Sequence, residues 1–102
     1  MSEDFTAKKA QAAAWFRTLR DEIVTCFEGL EDAHGTGSVG RFEVTPTSRA
    51  DGGGGLMSVM RGGRVFEKVG VNVSEVHGTL GPRAQAAMAA RGVPGMDTDP
   101  RF

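Results

Sequence analysis

Apolar residues recur at four-residue spacing early in the chain, at Trp15, Leu19, Ile23 and Phe27, and Ala12, Phe16 and Leu30 widen the same side. Such a stripe, set among alanines and charged residues of good helix propensity, predicts an amphipathic helix from Ser2 to about Leu30 with one face packed. Trp15 and Phe16 point about 100° apart on a helix, so at least one of them is expected at the border of the buried stripe. The polar side mixes Asp21 and Glu22 with Lys8, Lys9, Arg17 and Arg20, which disfavours a helix lying on a membrane surface. Residues 31–40 bring three glycines, His34 and two small hydroxyl residues, a composition that ends the helix in a loop.

From Arg41 to Val76 the period changes to two. Phe42 and Val44 alternate with polar neighbours until Pro46, which is expected to stop that strand. Leu56, Met57, Val59 and Met60 form a second extended run, and Gly62-Gly63 suits a tight hairpin with positive φ at consecutive residues. Val65 to Val69 and Val71 to Val76 continue in β-branched order, with Val71 and Val73 facing one way and Asn72, Ser74 and Val76 the other. Gly70 is expected to mark a bulge or a close backbone approach. Pro82 then opens an alanine-rich helix to Arg91, Gly92 stops it, and residues 93–102 read as irregular. The expected fold class is α+β: an N-terminal helix, a glycine-rich loop and β-hairpin in an antiparallel sheet, and a second helix.

The 102 residues suffice for one small domain with a thin hydrophobic margin. With 39% hydrophobic and 25% charged residues the composition is that of a globular chain, and a net charge of −1 without a basic run argues against nucleic acid. Cys26 is the single cysteine, so no internal disulfide forms and a reducing, cytoplasmic setting is the simplest expectation. No stretch reaches the roughly 18 apolar residues of a membrane span. His34 and His77 stand apart with no second ligand at metal-binding spacing, and a metal site is not expected from them. His77 closes a strand run, where it either leaves the sheet toward a neighbour or remains a half-exposed strand-end residue.

Gly52-Gly53-Gly54-Gly55, behind Asp51, is the most unusual local feature. Four glycines lose much backbone entropy on ordering, so an ordered run needs neighbours or a ligand to hold it. Their N–H groups can cradle an anion, their bare backbone can admit another element, or they can serve as a linker. No Lys-Ser or Lys-Thr follows for a P-loop, and the run opens no helix as a dinucleotide fingerprint requires. Arg49, Arg61, Arg64 and Lys68 are expected around this loop and hairpin, where an arginine fork would suit a polycarboxylate and solvated charge is the alternative.

The stretch GGGGLMSVMRGGRVFEKVGVNVSEVHG, Gly52 to Gly78, resembles the signature region of the oxygen-dependent coproporphyrinogen III oxidase family. The order of four glycines, short strand, glycine turn, Val-Phe-Glu-Lys, Gly-Val-Asn, Ser and Val-His-Gly carries the likeness, which extends more weakly over the rest of the chain. Arg49 fills the family's arginine position three residues before the glycines; Thr47 stands where a tryptophan is common, and Val69 where alanine is usual. The resemblance implies oxidative decarboxylation of two propionates of coproporphyrinogen III to vinyl groups, giving protoporphyrinogen IX with molecular oxygen as oxidant. It implies a large antiparallel sheet flanked by helices, a homodimer, and no haem or flavin, with a divalent metal attributed to some bacterial members.

In the family the substrate-contacting serine and the proton-donating histidine lie beyond the equivalent of Phe102, so no catalytic residue is assigned here and His77 is not promoted to that role. Arg49, Gly52, Gly53, Gly54 and Gly55 are the candidate substrate-binding residues. Residues 1–102 are accordingly expected to be the N-terminal portion of a single domain, incomplete and inactive by themselves and marginally folded or self-associating. A noncatalytic binding or assembly module on the same fold is the alternative, and a phosphate- or nucleotide-binding domain a weaker one.

Overall fold

The computed structural model describes residues 5–102; the expected start of the first helix at Ser2 lies outside them. Helix α1 spans Thr6–Ala33, followed by strands β1 (Phe42–Ser48), β2 (Gly53–Arg61) and β3 (Lys68–Val76) and helix α2 (Pro82–Ala90). The strands form one sheet in the order β1-β2-β3. The register is antiparallel between β2 and β3, since Gly53 abuts Glu75 and Val76 while Gly55, two residues on, abuts Val73 and Ser74. The α+β reading therefore holds.

The chain gathers into two units, one of residues up to 47 together with 55–74, the other of 48–54 with 75–102. In the first unit, α1 is about 42 Å long at 1.5 Å per residue. Its half-buried stripe runs through Ala13, Leu19, Arg20, Ile23, Val24, Phe27 and Glu28 to the fully buried Glu31. Trp15 and Phe16 are both 53% exposed, so the stripe is rotated away from the tryptophan that the four-residue spacing places in it. Phe27 holds the helix down through edge-on contacts with Phe42 and Phe66, at ring-centroid distances of 6.4 and 4.9 Å. Each pair of this kind adds about 1 kcal/mol beyond the area it buries. Met60 of β2 is fully buried, and Val69, Val71 and Val73 of β3 alternate inward.

Three local expectations change. Pro46 does not stop β1, because β1 is an outer strand of this sheet, where a residue without an N–H is tolerated. Gly62-Gly63 does not make a two-residue hairpin: residues 62–67 form a wider connection, and β3 begins at Lys68 instead of Val65. Gly70 interrupts nothing, since β3 runs through it and a side chain there would meet open space.

In the second unit, Pro82 stands in the first turn of α2 and Gly92, at φ +83°, follows its end, as the sequence predicts. The segment after it is better tied than its composition suggests. Gln85 Nε2 donates to the Met96 carbonyl at 2.8 Å, Met96 is buried, and Gly78 and Phe102 exchange two backbone hydrogen bonds of 2.9 Å. A bridge between Thr79 and Arg101 continues that pairing.

Candidate functional site

The candidate substrate-binding residues lie at the turn into β2. Gly52 N donates to the Arg49 carbonyl at 3.2 Å and Arg49 N donates to the Gly53 carbonyl at 2.9 Å, which closes the turn. Gly52 (φ +136°) and Gly53 (φ +84°) adopt backbone conformations that other residues avoid. Gly53, Gly54 and Gly55 belong to β2 itself, so the run is a strand entrance rather than a free linker.

Close approach explains the glycines at two positions. A Cβ on Gly53 would lie 2.1 Å from the Glu75 carbonyl oxygen, and one on Gly55 would lie 2.0 Å from that of Val73. Gly52 sits against the His77 imidazole, where a Cβ would fall 2.4 Å from Cε1. His77 thus packs on the turn. The Arg49 guanidinium donates from Nη1 to the Gly52 carbonyl at 3.2 Å, stands 4.0 Å from Asp51 Oδ2 and lies 6.0 Å from the Phe102 ring centroid. Its side chain is 39% exposed.

The four cations grouped by the sequence reading are divided along the chain. Arg49 precedes β2, Arg61 closes it, Arg64 lies in the connection after it and Lys68 opens β3. An open groove of about 260 Å³ lies in the first unit, lined by Phe16, Leu19, Arg20 and Ile23 of α1 and by residues 71–74 of β3. At its polar end Arg20 donates from Nε and Nη2 to Oγ of the fully buried Ser58, at 3.1 and 2.8 Å, and Ser58 N donates to Asn72 Oδ1 at 3.3 Å. An arginine within the apolar stripe is the sequence signal for this network. Its direction and partners, 38 residues away, are not written locally.

Glu31 is the other residue that sequence reading passes over. Burial opposes its charge, but backbone N–H donors from Gly40, Phe66, Val65 and Arg64 more than compensate and hold its carboxyl at about 2. Among the described residues no group of three or more His, Cys, Asp or Glu is gathered to hold a metal ion. Among them, too, no helix is long and apolar enough to cross a membrane.

With the glycine turn, His77 and Arg49 in place, the comparison with known families decides the assignment: residues 11–100 match the family described as Coproporphyrinogen III oxidase. The chain belongs to that family. The oxygen-dependent coproporphyrinogen-III oxidase of Rickettsia bellii (strain RML369-C) is 39% identical over 93 residues, covering 88% of this chain and 31% of the relative. That of Rickettsia felis is 38% identical over 97 residues, covering 92% of this chain and 33% of the relative. The enzyme of Rickettsia akari is 38% identical over 91 residues, covering 86% and 30%. The chain thus spans about a third of the length of the curated relatives it matches. No solved structure matches it.

Proposed function

We propose that this chain is the N-terminal portion of an oxygen-dependent coproporphyrinogen III oxidase, which converts two propionate side chains to vinyl groups with molecular oxygen as oxidant. The observation that carries the reading is the family match over residues 11–100, together with the name its bacterial relatives share. In that reading residues 1–102 are one part of a single domain in a cytoplasmic homodimer. The half-exposed Trp15, Phe16, Val44 and Met57 support it, because they are apolar surface that further chain or a second copy would cover.

Within it, Arg49 and the turn Gly52–Gly55 contribute to substrate binding. Arg49 supplies a guanidinium fork suited to a propionate carboxylate, anchored on one side by the Gly52 carbonyl and open on the other. Gly53 and Gly55 serve it indirectly, since their close packing on β3 sets the shape of the strand entrance that carries the arginine.

The test is an oxygen-dependent assay on a full-length enzyme carrying these residues, following protoporphyrinogen formed from coproporphyrinogen. Conversion at enzyme-like rates is expected, with none from residues 1–102 alone; a folded full-length protein that releases no carbon dioxide overturns the assignment. Arg49→Ala in that enzyme is expected to raise KM about tenfold with kcat less affected, the cost of one charge-assisted hydrogen bond. An unchanged KM would remove Arg49 from the binding role and leave the family assignment standing.

A further inference from the structure

Glu31, at the end of α1, is fully buried. Its Oε1 accepts hydrogen bonds from Gly40 N and Arg64 N, both at 2.7 Å, and its Oε2 from Val65 N at 2.7 Å and Phe66 N at 2.8 Å. Three successive peptide N–H groups from the 62–67 connection and a fourth from the loop before β1 converge on one carboxylate. That is the geometry of a backbone anion nest.

The connection has a shape of its own. Gly62 N donates to the Glu67 carbonyl at 2.9 Å and Gly63 N to the Phe66 carbonyl at 3.0 Å, and Gly62 adopts φ +61° to turn the chain out of β2. Glycines also line the place where the carboxylate enters: a Cβ on Gly63 would lie 2.7 Å from Glu31 Oε1, and one on Gly40 2.9 Å from the same oxygen. The surrounding charges have other partners or distances. Glu28 of α1 accepts from Phe42 N at 3.0 Å, Asp32 pairs with Arg41 at 2.6 Å, and Arg64 keeps its buried Nε without a hydrogen-bond partner.

We propose that the N–H groups of Gly40, Arg64, Val65 and Phe66 form a carboxylate-binding site whose resident ligand is the Glu31 side chain, and that a small monocarboxylate occupies it when that side chain is cut back. The site is specified by two oxygens of one planar anion, each taking two N–H donors, so formate fits the space that Glu31→Ala vacates while chloride satisfies the donors less well.

The experiment compares wild type, Glu31→Ala and Glu31→Gln in thermal unfolding with sodium formate or sodium chloride at equal ionic strength. Formate is expected to restore at least half of the midpoint lost in Glu31→Ala. Wild type and Glu31→Gln, whose nests are filled, should respond no more to formate than to chloride. An equal response of all three proteins overturns the proposal, as does no response of Glu31→Ala.

If Glu31→Ala does not fold in chloride, its yield of folded protein in formate reads the same effect, with the same signs. The wild-type chain supplies an independent arm through amide NMR on lowering the pH. The N–H resonances of Gly40, Arg64, Val65 and Phe66 should move together, with one midpoint well below the ordinary glutamate value. Separate midpoints, or a shared one at the ordinary glutamate value, would overturn it, and so would a wild-type chain in which these amides show no protection from solvent.

Discussion

The two connections of the sheet use glycine in opposite ways. At residues 49–55 the glycines remove side chains so that backbone can press on backbone, with Gly53 and Gly55 laid directly against carbonyl groups of β3. At residues 62–67 Gly62 turns the chain at φ +61° and Gly63 makes room for a side chain, its space being filled by the Glu31 carboxylate. The first arrangement depends on van der Waals exclusion; the second depends on a charge. Glycine pairs that look alike in sequence therefore report different physics, and substitutions tell them apart.

The largest effect is expected at the first connection. Gly53→Ala places a methyl group 2.1 Å from the Glu75 carbonyl oxygen at a residue held at φ +84°, so clash and backbone strain add. A loss of about 4 kcal/mol or more is expected, read as a lower urea midpoint. Gly55→Ala meets the Val73 carbonyl at 2.0 Å and should fall in the same class. A midpoint unchanged in both would mean that the two strands separate there at little cost, and the contrast between the connections would collapse.

The second connection is expected to fail with acid. Glu31 is held at about 2, below the 4.5 of an ordinary glutamate, so the unfolded chain binds a proton more readily than the folded one. The stability it supplies is therefore complete above about 4.5 and is lost as the pH falls through about 2. Asp99, lowered to about 2 by the Arg101 side chain and then by the Arg101 N–H, adds a slope of the same sign from the other unit. Urea midpoints between pH 5 and pH 2 should lose most of their decline in Glu31→Gln and less of it in Asp99→Asn. A Glu31→Gln profile parallel to wild type would sink the charged description of the connection.

These contrasts also mark what a reader of the sequence can and cannot see. The helices are legible because their signals are local: the apolar spacing from Leu19 to Phe27, and Pro82 and Gly92 bracketing α2. The inward alternation of Val71 and Val73 is legible for the same reason. Pro46 misleads because its tolerance depends on β1 having a free side, which is a property of the sheet. Glu31 misleads because a glutamate at a helix end ordinarily faces water, and its donors lie 33 to 35 residues away at Arg64, Val65 and Phe66. At the candidate site, the resemblance singles out the glycine run and Arg49. The packing of Gly52 on His77 and of Gly53 on β3 depends on register, which four identical residues do not encode.

A smaller effect tests whether the polar network beside α1 resembles the carboxylate nest in its intolerance of a missing partner. Ser58→Ala removes the acceptor of two Arg20 hydrogen bonds and leaves a guanidinium that is only 13% exposed without it. A loss of about 1 to 3 kcal/mol is expected. Adding Arg20→Met should make the double variant less destabilised than the sum of the single ones, since Nε and Nη2 are then no longer left without their acceptor. Strict additivity would show that the two side chains do not act together.

The smallest effect is a gain, and it isolates the glycine argument from everything else. Gly29 lies inside α1, where a Cβ would meet nothing within 4 Å and the backbone stays outside the left-handed region. Neither backbone approach nor room for a side chain requires glycine there. Gly29→Ala should therefore raise stability by about 0.5 to 1 kcal/mol, through reduced freedom of the unfolded chain and better helix propensity. Destabilisation at Gly29 would show that this face of α1 is closely covered in the folded protein, and the glycines of the two connections would no longer be set apart by what surrounds them.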